Sequence, residues 1–294
     1  WQSKGGRPTE AVYGFAALLL NLLQQEVPRY IAAAFDESLE TGFRHRLYSE
    51  YKANRVLPDE NLAFQLNACR TVAGVLGIPT FTCDEYEADD YLATLAHKAA
   101  PGQQVYILSR DKDLAQLIND TTWLWDYRIG QGVGYGDAVT KDSFIRANGF
   151  DPKLVADYLA LLGDSSDNIP GVPGIGKKTA AVILAELGAI ENWIATPEKL
   201  AGLQLRGAAK LPEKIAGYRQ QIALAQTLAT LEKNIRSVPG MASLVWGGVD
   251  LKTATELFDE LGISGLQRRL EAVAVKSRQQ VSGQFYQLHR AMQA

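Results

Sequence analysis

The chain has 294 residues, of which 47% are hydrophobic and 21% charged, a composition typical of a globular protein with one large core or two smaller ones. Its formal net charge of −3 argues against binding a polyanion through bulk charge alone. The sequence lacks an apolar run long enough to span a membrane, and its two cysteines, Cys69 and Cys83, exclude a disulfide framework, so a cytoplasmic or other reducing intracellular compartment is expected.

In the first half of the chain, predicted helices alternate with predicted strands. Amphipathic patterns predict helices at 10–25, 60–77, 87–100 and 112–118. Short apolar runs predict strands at 29–36, 78–83, 104–109 and 121–127. From about residue 149 onward only helices are predicted, at 151–163, 176–188, 212–231 and 251–262. These patterns indicate an α/β domain with a mainly parallel central sheet flanked by helices, followed by a helical domain.

Acidic residues follow three of the predicted strands and also stand ahead of the predicted helix at 176–188. The candidate metal ligands are Asp36, Glu87, Asp89, Asp90, Asp111, Asp113, Asp164 and Asp167. Because the carboxyl ends of parallel strands share one sheet edge, we expect these carboxylates to converge in one cleft. So many like charges need cations, and two Mg²⁺ or Mn²⁺ ions would suit phosphodiester hydrolysis. The alternative, that an acid merely caps a helix, stays open for any single residue and above all for Asp89.

The stretch FRHRLYSEYKANR at 43–55 interleaves basic and aromatic residues. The candidate nucleic-acid contacts in it are Arg44, Arg46, Tyr48, Tyr51, Lys52 and Arg55. Cations bind phosphates and aromatic rings stack on unpaired bases, so the pattern favours contact with a single strand. Lys52 and Arg55 are three residues apart and would share one face of a helix. A solvated basic surface is the alternative.

The stretch GVPGIGKKT at 171–179 is close to the phosphate-binding P-loop pattern, and a P-loop NTPase is one interpretation. A P-loop follows an apolar strand, however, whereas LLGDSSDNIP precedes this stretch, and Lys178 stands where a hydroxyl is required. We expect instead a helix–loop–helix that holds a DNA backbone phosphate. The expected contacts are Gly174, Gly176, Lys177, Lys178 and Thr179. A plain helical hairpin turn is a third interpretation.

Taken together, these motifs resemble those of the 5′-nuclease family, which includes the flap endonucleases and the 5′→3′ exonuclease domain of bacterial DNA polymerase I. The matching stretches are PTEAVYGF, FD, YKANR, EADD, RDKDLAQL, GDSSDNIPGVPGIGKKTA and LFDELG, within residues 3–265. The resemblance implies a PIN-like, Rossmann-like nuclease domain at 1–148 with a basic helical arch at about 40–58. It further implies a helical DNA-binding domain at 149–265 that contains a helix–three-turn–helix element. A basic extension at 266–294 would follow.

The resemblance also implies roles for the candidate residues. The eight acids fall on the family's metal-site carboxylates, and Lys52 and Arg55 fall on the catalytic basic pair that contacts the scissile phosphate. The glycine loop falls on the element that grips duplex DNA, where backbone carbonyls, here those of Val172 and Ile175, hold a K⁺ ion. The implied activity is a structure-specific 5′-nuclease, a 5′→3′ exonuclease or 5′-flap endonuclease, that uses two or more Mg²⁺ or Mn²⁺ ions.

The implied partner is DNA with a free 5′ end, a 5′ flap or a nick, bound by a monomer away from any membrane. The family pattern opens with a strand that ends in a metal-site aspartate, and the sequence begins at Trp1 without them. The alternative is therefore a catalytically impaired, structure-specific DNA-binding protein of the same fold.

Overall fold

The computed structural model describes residues 1–37, 41–127 and 138–277. Its α-helices are α1 (Glu10–Gln25), α2 (Phe43–Leu47), α3 (Glu60–Val75), α4 (Ala88–His97), α5 (Lys141–Asn148), α6 (Val155–Leu162), α7 (Lys177–Leu187), α8 (Leu211–Gly217), α9 (Arg219–Ala229) and α10 (Leu251–Glu260). Its strands are β1 (Ala33–Ala34), β2 (Thr80–Phe81), β3 (Val105–Leu108) and β4 (Thr122–Trp125). Short 3₁₀ helices include Asp113–Leu117 and Pro152–Leu154, and residues 267–277 are helical.

The four strands form two parallel pairs, β1 with β2 and β3 with β4. The longer pair runs from Val105 opposite Thr122 to Leu108 opposite Trp125, so both strands end at the same level. The parallel direction predicted from the alternation of helices and strands is confirmed. The predicted central sheet is divided, in the described residues, into these two small sheets.

The first strand is much shorter than the predicted run 29–36 because its beginning pairs with a distant part of the chain. The backbone N–H of Ile31 donates to the carbonyl of Leu244 at 3.0 Å, and the N–H of Trp246 donates to the carbonyl of Arg29 at 3.0 Å. The backbone groups at 29–31 are therefore satisfied outside the sheet. No local pattern in the sequence indicates this partner.

The predicted bounds of α1 and α3 hold closely because local signals define them. In α1 the apolar residues Val12, Ala16 and Leu20 follow helical spacing and are buried. The side chain of Asp59 caps α3, and Gly77 follows the end of this helix with a φ of +75°. A Cβ atom at Gly77 would also lie 2.0 Å from the carbonyl oxygen of Gly248, so only glycine fits there. In the described parts of the chain, no helix has the length and apolar character that crossing a membrane requires.

The helical half departs from the predicted elements at two places. The predicted helix at 212–231 is divided into α8 and α9, because Tyr218 leaves the helical region with φ −110° and ψ 13° directly after Gly217. Helix α5 was not predicted, although the side chain of Thr140 caps it and Gly149 ends it with a φ of +82°. Helix α5 contains few apolar residues, so a search for apolar residues at helical spacing does not detect it.

Two hydrophobic clusters join segments that are far apart in the sequence. The first contains, among others, Tyr51, Leu114, Leu161 and Ile222. The second contains, among others, Leu20, Val72, Phe258 and Leu270. Both clusters therefore cross the domain boundary predicted near residue 149. Their burial ties the two halves of the chain into packed cores.

The basic extension predicted at 266–294 needs correction in its first part. Leu266, Leu270 and Val273 are at most 2% exposed and pack into the second cluster. This part is a helix of the core, because its apolar residues recur at helical spacing beneath a basic outer face. The remainder, with Arg278 and Arg290, lies outside the described residues.

Candidate metal centre

Three carboxylates that are far apart in sequence lie together. Asp113 begins the 3₁₀ helix after β3, and Asp164 and Asp167 lie in the loop between α6 and α7. One carboxylate oxygen of each lies within 4.8 Å of the others. The loop is folded back by two backbone hydrogen bonds between Asp164 and Ile169, at 2.9 and 2.7 Å. Oxygen donors at this spacing suit the hard cations Mg²⁺ and Mn²⁺.

Burial and neighbouring negative charges raise the pKa of two acids. The pKa of Asp113 rises to about 7, first because of burial and then because of the charges of Asp111 and the two loop acids. The pKa of Asp89 also rises to about 7, through burial and then the charges of Asp111 and Asp36. Asp111 therefore lies near both groups. We call the set the six-acid site: Asp36, Asp89, Asp111, Asp113, Asp164 and Asp167. Lys52 offsets this negative charge only in part, and bound divalent cations would relieve the remainder.

Backbone hydrogen bonds orient two carboxylates of the six-acid site. Asp36 Oδ1 accepts from the N–H of Ala88, the first residue of α4, at 2.7 Å. Asp111 Oδ1 accepts from the N–H of Asp113 at 2.9 Å. The side chains of Glu87 and Asp90 form a capping box at the start of α4, and the helix-capping alternative is also realised at Asp36. It leaves the metal-binding interpretation intact, because each of these bonds uses one oxygen of a two-oxygen group.

Glu87 connects the six-acid site to the basic stretch. Its Oε1 lies 2.7 Å from Lys52 Nζ, and its Oε2 accepts from the hydroxyl of Tyr51 at 3.2 Å. Its charge is also one of the causes that raise the pKa of Asp89, so it stands beside that carboxylate. Glu87 is therefore held by side chains from residues 51–52 at the edge of the acidic site.

The structure contradicts the predictions that Asp90 is a metal ligand and that Arg44 contacts nucleic acid. Asp90 is fully buried, and Arg44 donates to both of its carboxylate oxygens at 2.7 Å. Asp90 Oδ1 also accepts from the backbone N–H of Glu232 at 2.8 Å. This buried pair joins α2, α4 and the chain after α9. Both side chains are buried and bonded inside the protein, which leaves them turned away from solvent.

Lys52 and Arg55 lie against the same carboxylate of the six-acid site. Arg55 Nη2 is 2.5 Å from Asp167 Oδ1, and Lys52 Nζ is 3.7 Å from Asp167 Oδ2. They are brought together by turns, because α2 ends at Leu47 and residues 49–54 form no helix. The prediction that Lys52 and Arg55 share one face of a helix is therefore wrong. The two side chains do lie close together, as that prediction implied.

The aromatic residues of the basic stretch are mostly unavailable to unpaired bases. Tyr51 is 2% exposed, and its hydroxyl donates to Asp167 at 3.1 Å. Its predicted stacking role is wrong, because the ring lies in the first hydrophobic cluster. Tyr48 is half-buried against the same cluster, whereas Arg46 is exposed and paired with Glu85 at 2.5 Å. Arg46 and Tyr48 stay predicted contacts.

The glycine loop joins two helices, and this placement contradicts the P-loop interpretation. Helix α6, and no strand, precedes it, and Gly176 is the N-cap residue of α7. Lys177 and Lys178 are exposed in the first turn of α7, followed by half-buried Thr179. Their positions leave the predicted contact with a phosphate possible on geometric grounds, because helix N-termini attract anions.

Buried apolar side chains and distant polar ones hold the loop in shape. Val172 and Ile175 are 2% and 4% exposed, and the N–H of Ile175 donates to the carbonyl of Val172 at 3.0 Å. Gly174 has a φ of +79°, and a Cβ atom there would lie 2.7 Å from Lys214 Nζ. That ammonium donates to the carbonyl of Pro173 at 2.8 Å. Sequence analysis missed Lys214, because nothing local in α8 distinguishes it from a surface lysine.

Comparison with known proteins places both halves of the chain in one family. Residues 1–147 match the family described as 5′-3′ exonuclease, N-terminal resolvase-like domain, and residues 150–252 match 5′-3′ exonuclease, C-terminal SAM fold. DNA polymerase I of Mycobacterium tuberculosis strain H37Rv is 35% identical over 271 residues, which are 92% of this chain and 29% of that protein. DNA polymerase I of Bacillus subtilis strain 168 is 33% identical over 278 residues, 94% of this chain and 31% of that protein. The chain spans less than a third of these relatives.

Solved structures share the fold at lower identity. The T5 5′-exonuclease with bound zinc ions has a TM-score of 0.60 at 21% identity, over 86% of this chain and 92% of that one. The catalytic core of Rad2 in complex with a DNA substrate has a TM-score of 0.56 at 17% identity, over 90% of this chain and 83% of that one. These similarities establish a resolvase-like domain followed by a SAM-like helical domain, the α/β-plus-helical arrangement predicted from sequence.

Proposed function

Because this chain belongs to the 5′-3′ exonuclease family, we propose that it is a divalent-metal-dependent, structure-specific 5′-nuclease for DNA with a free 5′ end, a 5′ flap or a nick. The observation that carries the proposal is the six-acid site with two basic side chains on its edge. Acids alone would hold cations, and bases alone would hold phosphates. Their juxtaposition suits a phosphodiester that must approach metal ions.

The six-acid site offers ligands in two groups. Asp113, Asp164 and Asp167 would hold one ion, because their oxygens already lie within 4.8 Å of one another. Asp36, Asp89 and Asp111 would hold the other, because the charges of Asp111 and Asp36 both act on Asp89. Two Mg²⁺ or Mn²⁺ ions would supply an activated water molecule and neutralise the charge that develops on the phosphate oxygens.

Lys52 and Arg55 would bind and orient the scissile phosphate. Both rest on Asp167 within the ion-pair distances given above, so a phosphate at the metal ions meets two cations already in place. Their charge would offset the repulsion between the phosphate and the carboxylates, most strongly in a site from which water is partly excluded. The 8% exposure of Lys52 indicates that exclusion.

The glycine loop and the start of α7 would grip the duplex. Backbone N–H groups at the helix N-terminus and the ammonium groups of Lys177 and Lys178 favour a phosphate there. A K⁺ ion on the carbonyl oxygens of Val172 and Ile175 would add positive charge between the loop and the phosphate backbone of the DNA. One monomer would therefore both bind the duplex through this loop and cleave the DNA at the six-acid site.

Cleavage of a 5′-flap DNA in Mg²⁺ tests the proposal. We expect the wild-type chain to release a short 5′ product, and Asp164→Ala to abolish release while it binds the same flap DNA with the wild-type Kd. Asp120→Ala is the matched control, because that aspartate is highly exposed and outside the six-acid site. Wild-type binding without cleavage in Mg²⁺ or Mn²⁺ would favour the DNA-binding alternative. Full activity of Asp164→Ala would overturn the assignment of the metal site.

A further inference from the structure

Two segments that carry the catalytic and metal-binding candidates are joined by three hydrogen bonds, which we call the segment clamp. Asn54 Nδ2 donates to the carbonyl of Ser165 at 2.8 Å, and Asn168 Nδ2 donates to the carbonyl of Glu50 at 2.6 Å. Between them, the backbone N–H of Lys52 donates to the carbonyl of Asp167 at 2.9 Å. The acceptors are all carbonyl oxygens, so the donor orientation of both asparagine amides follows from chemistry.

The three bonds follow an antiparallel order. Alternate residues of one segment, at 50, 52 and 54, face 168, 167 and 165 of the other. The clamp therefore fixes both the distance and the relative direction of the two segments. A single bond would leave either segment free to rotate about it.

The clamp holds backbone conformations that the residues do not favour by themselves. Lys52 has a φ of +54° and Asn168 a φ of +55°, both in the left-handed region. Asparagine tolerates this region, whereas lysine adopts it rarely and needs surrounding contacts to remain there. Lys52 belongs to one of the two segments and Asn168 to the other, and each of them donates one of the three hydrogen bonds. The unfavourable conformation of Lys52 coincides with the position where its side chain meets the acidic site.

The position of the Lys52 and Arg55 cations depends on this arrangement. The left-handed turn at Lys52 directs its ammonium to Glu87 at 2.7 Å, and the turn that follows brings Arg55 onto Asp167. The N–H of Arg55 also donates to the carbonyl of Lys52 at 2.9 Å, so the conformation of one residue sets the other. Asn54 and Asn168 contact neither carboxylates nor each other in these bonds. They act on the backbone that carries the cations.

We propose that Asn54 and Asn168 are positioning residues, whose amides hold Lys52 and Arg55 against the metal-binding loop in the geometry that a scissile phosphate requires. The inference rests on the proposed function, and it adds two residues that the charge and motif patterns do not identify. Small displacements of catalytic groups cost large factors in rate, so these two neutral amides affect the chemical step without touching the substrate.

The test uses the double variant Asn54→Ala/Asn168→Gly. Glycine readily adopts the left-handed backbone at 168 and removes the side chain with its amide, so the variant breaks the side-chain bonds without adding backbone strain. With saturating enzyme and a 5′-flap DNA in Mg²⁺, we expect the single-turnover rate to fall about 10- to 100-fold, while the Kd measured in Ca²⁺ stays within about 2-fold. An unchanged single-turnover rate would overturn the inference.

A thermodynamic cycle separates positioning from general damage. In the Lys52→Ala/Arg55→Ala background, the same asparagine changes should alter the remaining rate less than about 2-fold, because the groups they position are gone. A full additional loss in that background would show that the asparagines act elsewhere and would overturn the inference. Asn192→Ala, a change to an exposed asparagine outside the clamp, is the control.

Hydrogen exchange provides a readout that does not need cleavage. The amide of Lys52 should exchange faster in Asn54→Ala/Asn168→Gly than in the wild type, while amides of α1 exchange at unchanged rates. Wild-type protection of Lys52 in the variant would contradict the clamp. If the wild-type chain does not cleave DNA while the variant still loses protection at Lys52, the proposed function is overturned and the clamp stands, so the two failures are distinguishable.

Discussion

Arg44 and Asp90 form a two-point buried ion pair in which Nη1 and Nη2 each donate to one carboxylate oxygen at 2.7 Å. Two further donors of Arg44, on Nε and Nη2, reach the carbonyls of Leu228 and Thr230 at 2.8 and 3.0 Å. A residue of the short helix α2 thus binds both α4 and the end of α9. The pair holds the base of the basic stretch against the helical half of the protein.

Removal of this pair should destabilise the protein more than removal of its exposed neighbour. We expect Arg44→Ala to lower the free energy of unfolding by about 3–5 kcal/mol, because it leaves the Asp90 carboxylate buried without its partner. Arg46→Ala on the same helix removes an exposed pair with Glu85 and should change the free energy of unfolding far less. Urea unfolding followed by circular dichroism measures both. Equal stability of the two variants would contradict the assigned role of Arg44.

Divalent cations should stabilise the protein more at pH 8 than at pH 6. Asp89 and Asp113 have pKa values of about 7 in the folded protein, above the ordinary aspartate value. Stability without metal is therefore fully present below about pH 4 for these groups and falls as the pH rises toward 7, because the folded state retains protons that the unfolded state has released. Metal ions must displace the same protons, so their binding strengthens over the same range.

The measurement is the change in Tm caused by Mg²⁺ at the two pH values. Asp89→Asn/Asp113→Asn should have a higher Tm than the wild type at pH 8 without metal, since it removes buried like charges. Its Tm should change little on addition of Mg²⁺. An Mg²⁺-induced change in Tm that is the same at pH 6 and pH 8 in the wild type would argue against a site built on these two acids.

Lysines at the start of α7 should contribute to duplex binding through charge. We expect Lys177→Ala/Lys178→Ala to weaken binding of a duplex and to reduce the slope of log K against log salt by up to about 2, because each lysine neutralises one phosphate. Lys199→Ala/Lys252→Ala removes the same charge from exposed positions elsewhere and should leave the slope nearly unchanged. Fluorescence anisotropy across a salt series is the measurement. Identical slopes for the two variants would exclude the loop as a phosphate site.

A single added methyl group should destabilise the protein far more at Gly171 than at Gly176, although both glycines lie in the same loop. A Cβ atom at Gly171 would lie 2.1 Å from the carbonyl oxygen of Leu162, a backbone atom that cannot move aside. We expect Gly171→Ala to lower the free energy of unfolding by about 3 kcal/mol, at the upper end of the usual range for overpacking. Gly176→Ala meets nothing within 4 Å and should cost about 1 kcal/mol or less. Thermal unfolding of both variants decides whether close packing or flexibility explains these glycines.

The sequence by itself determined the family, the order of α/β and helical parts, and the parallel direction of the strands. These features depend on local patterns: the apolar spacing of α1, the cap at Asp59, and the dense motifs around Asp113 and Asp164. The comparisons confirm the family resemblance and the fold class. The same motifs identified all members of the six-acid site, because acids that follow strands are visible as sequence neighbours.

Only the tertiary structure decided which charged residues face the site and which lie inside. Arg44 and Lys52 belong to one basic stretch, yet Arg44 is used by Asp90 and Lys52 reaches Glu87. Local spacing cannot separate them, because their partners lie 46 and 35 residues away along the chain. The clamp through Asn54 and Asn168 cannot be predicted from the sequence for the same reason, since the role of each neutral amide depends on a carbonyl group that is distant in the sequence. Sequence patterns reveal the chemical groups that are present, and long-range packing selects the partner of each.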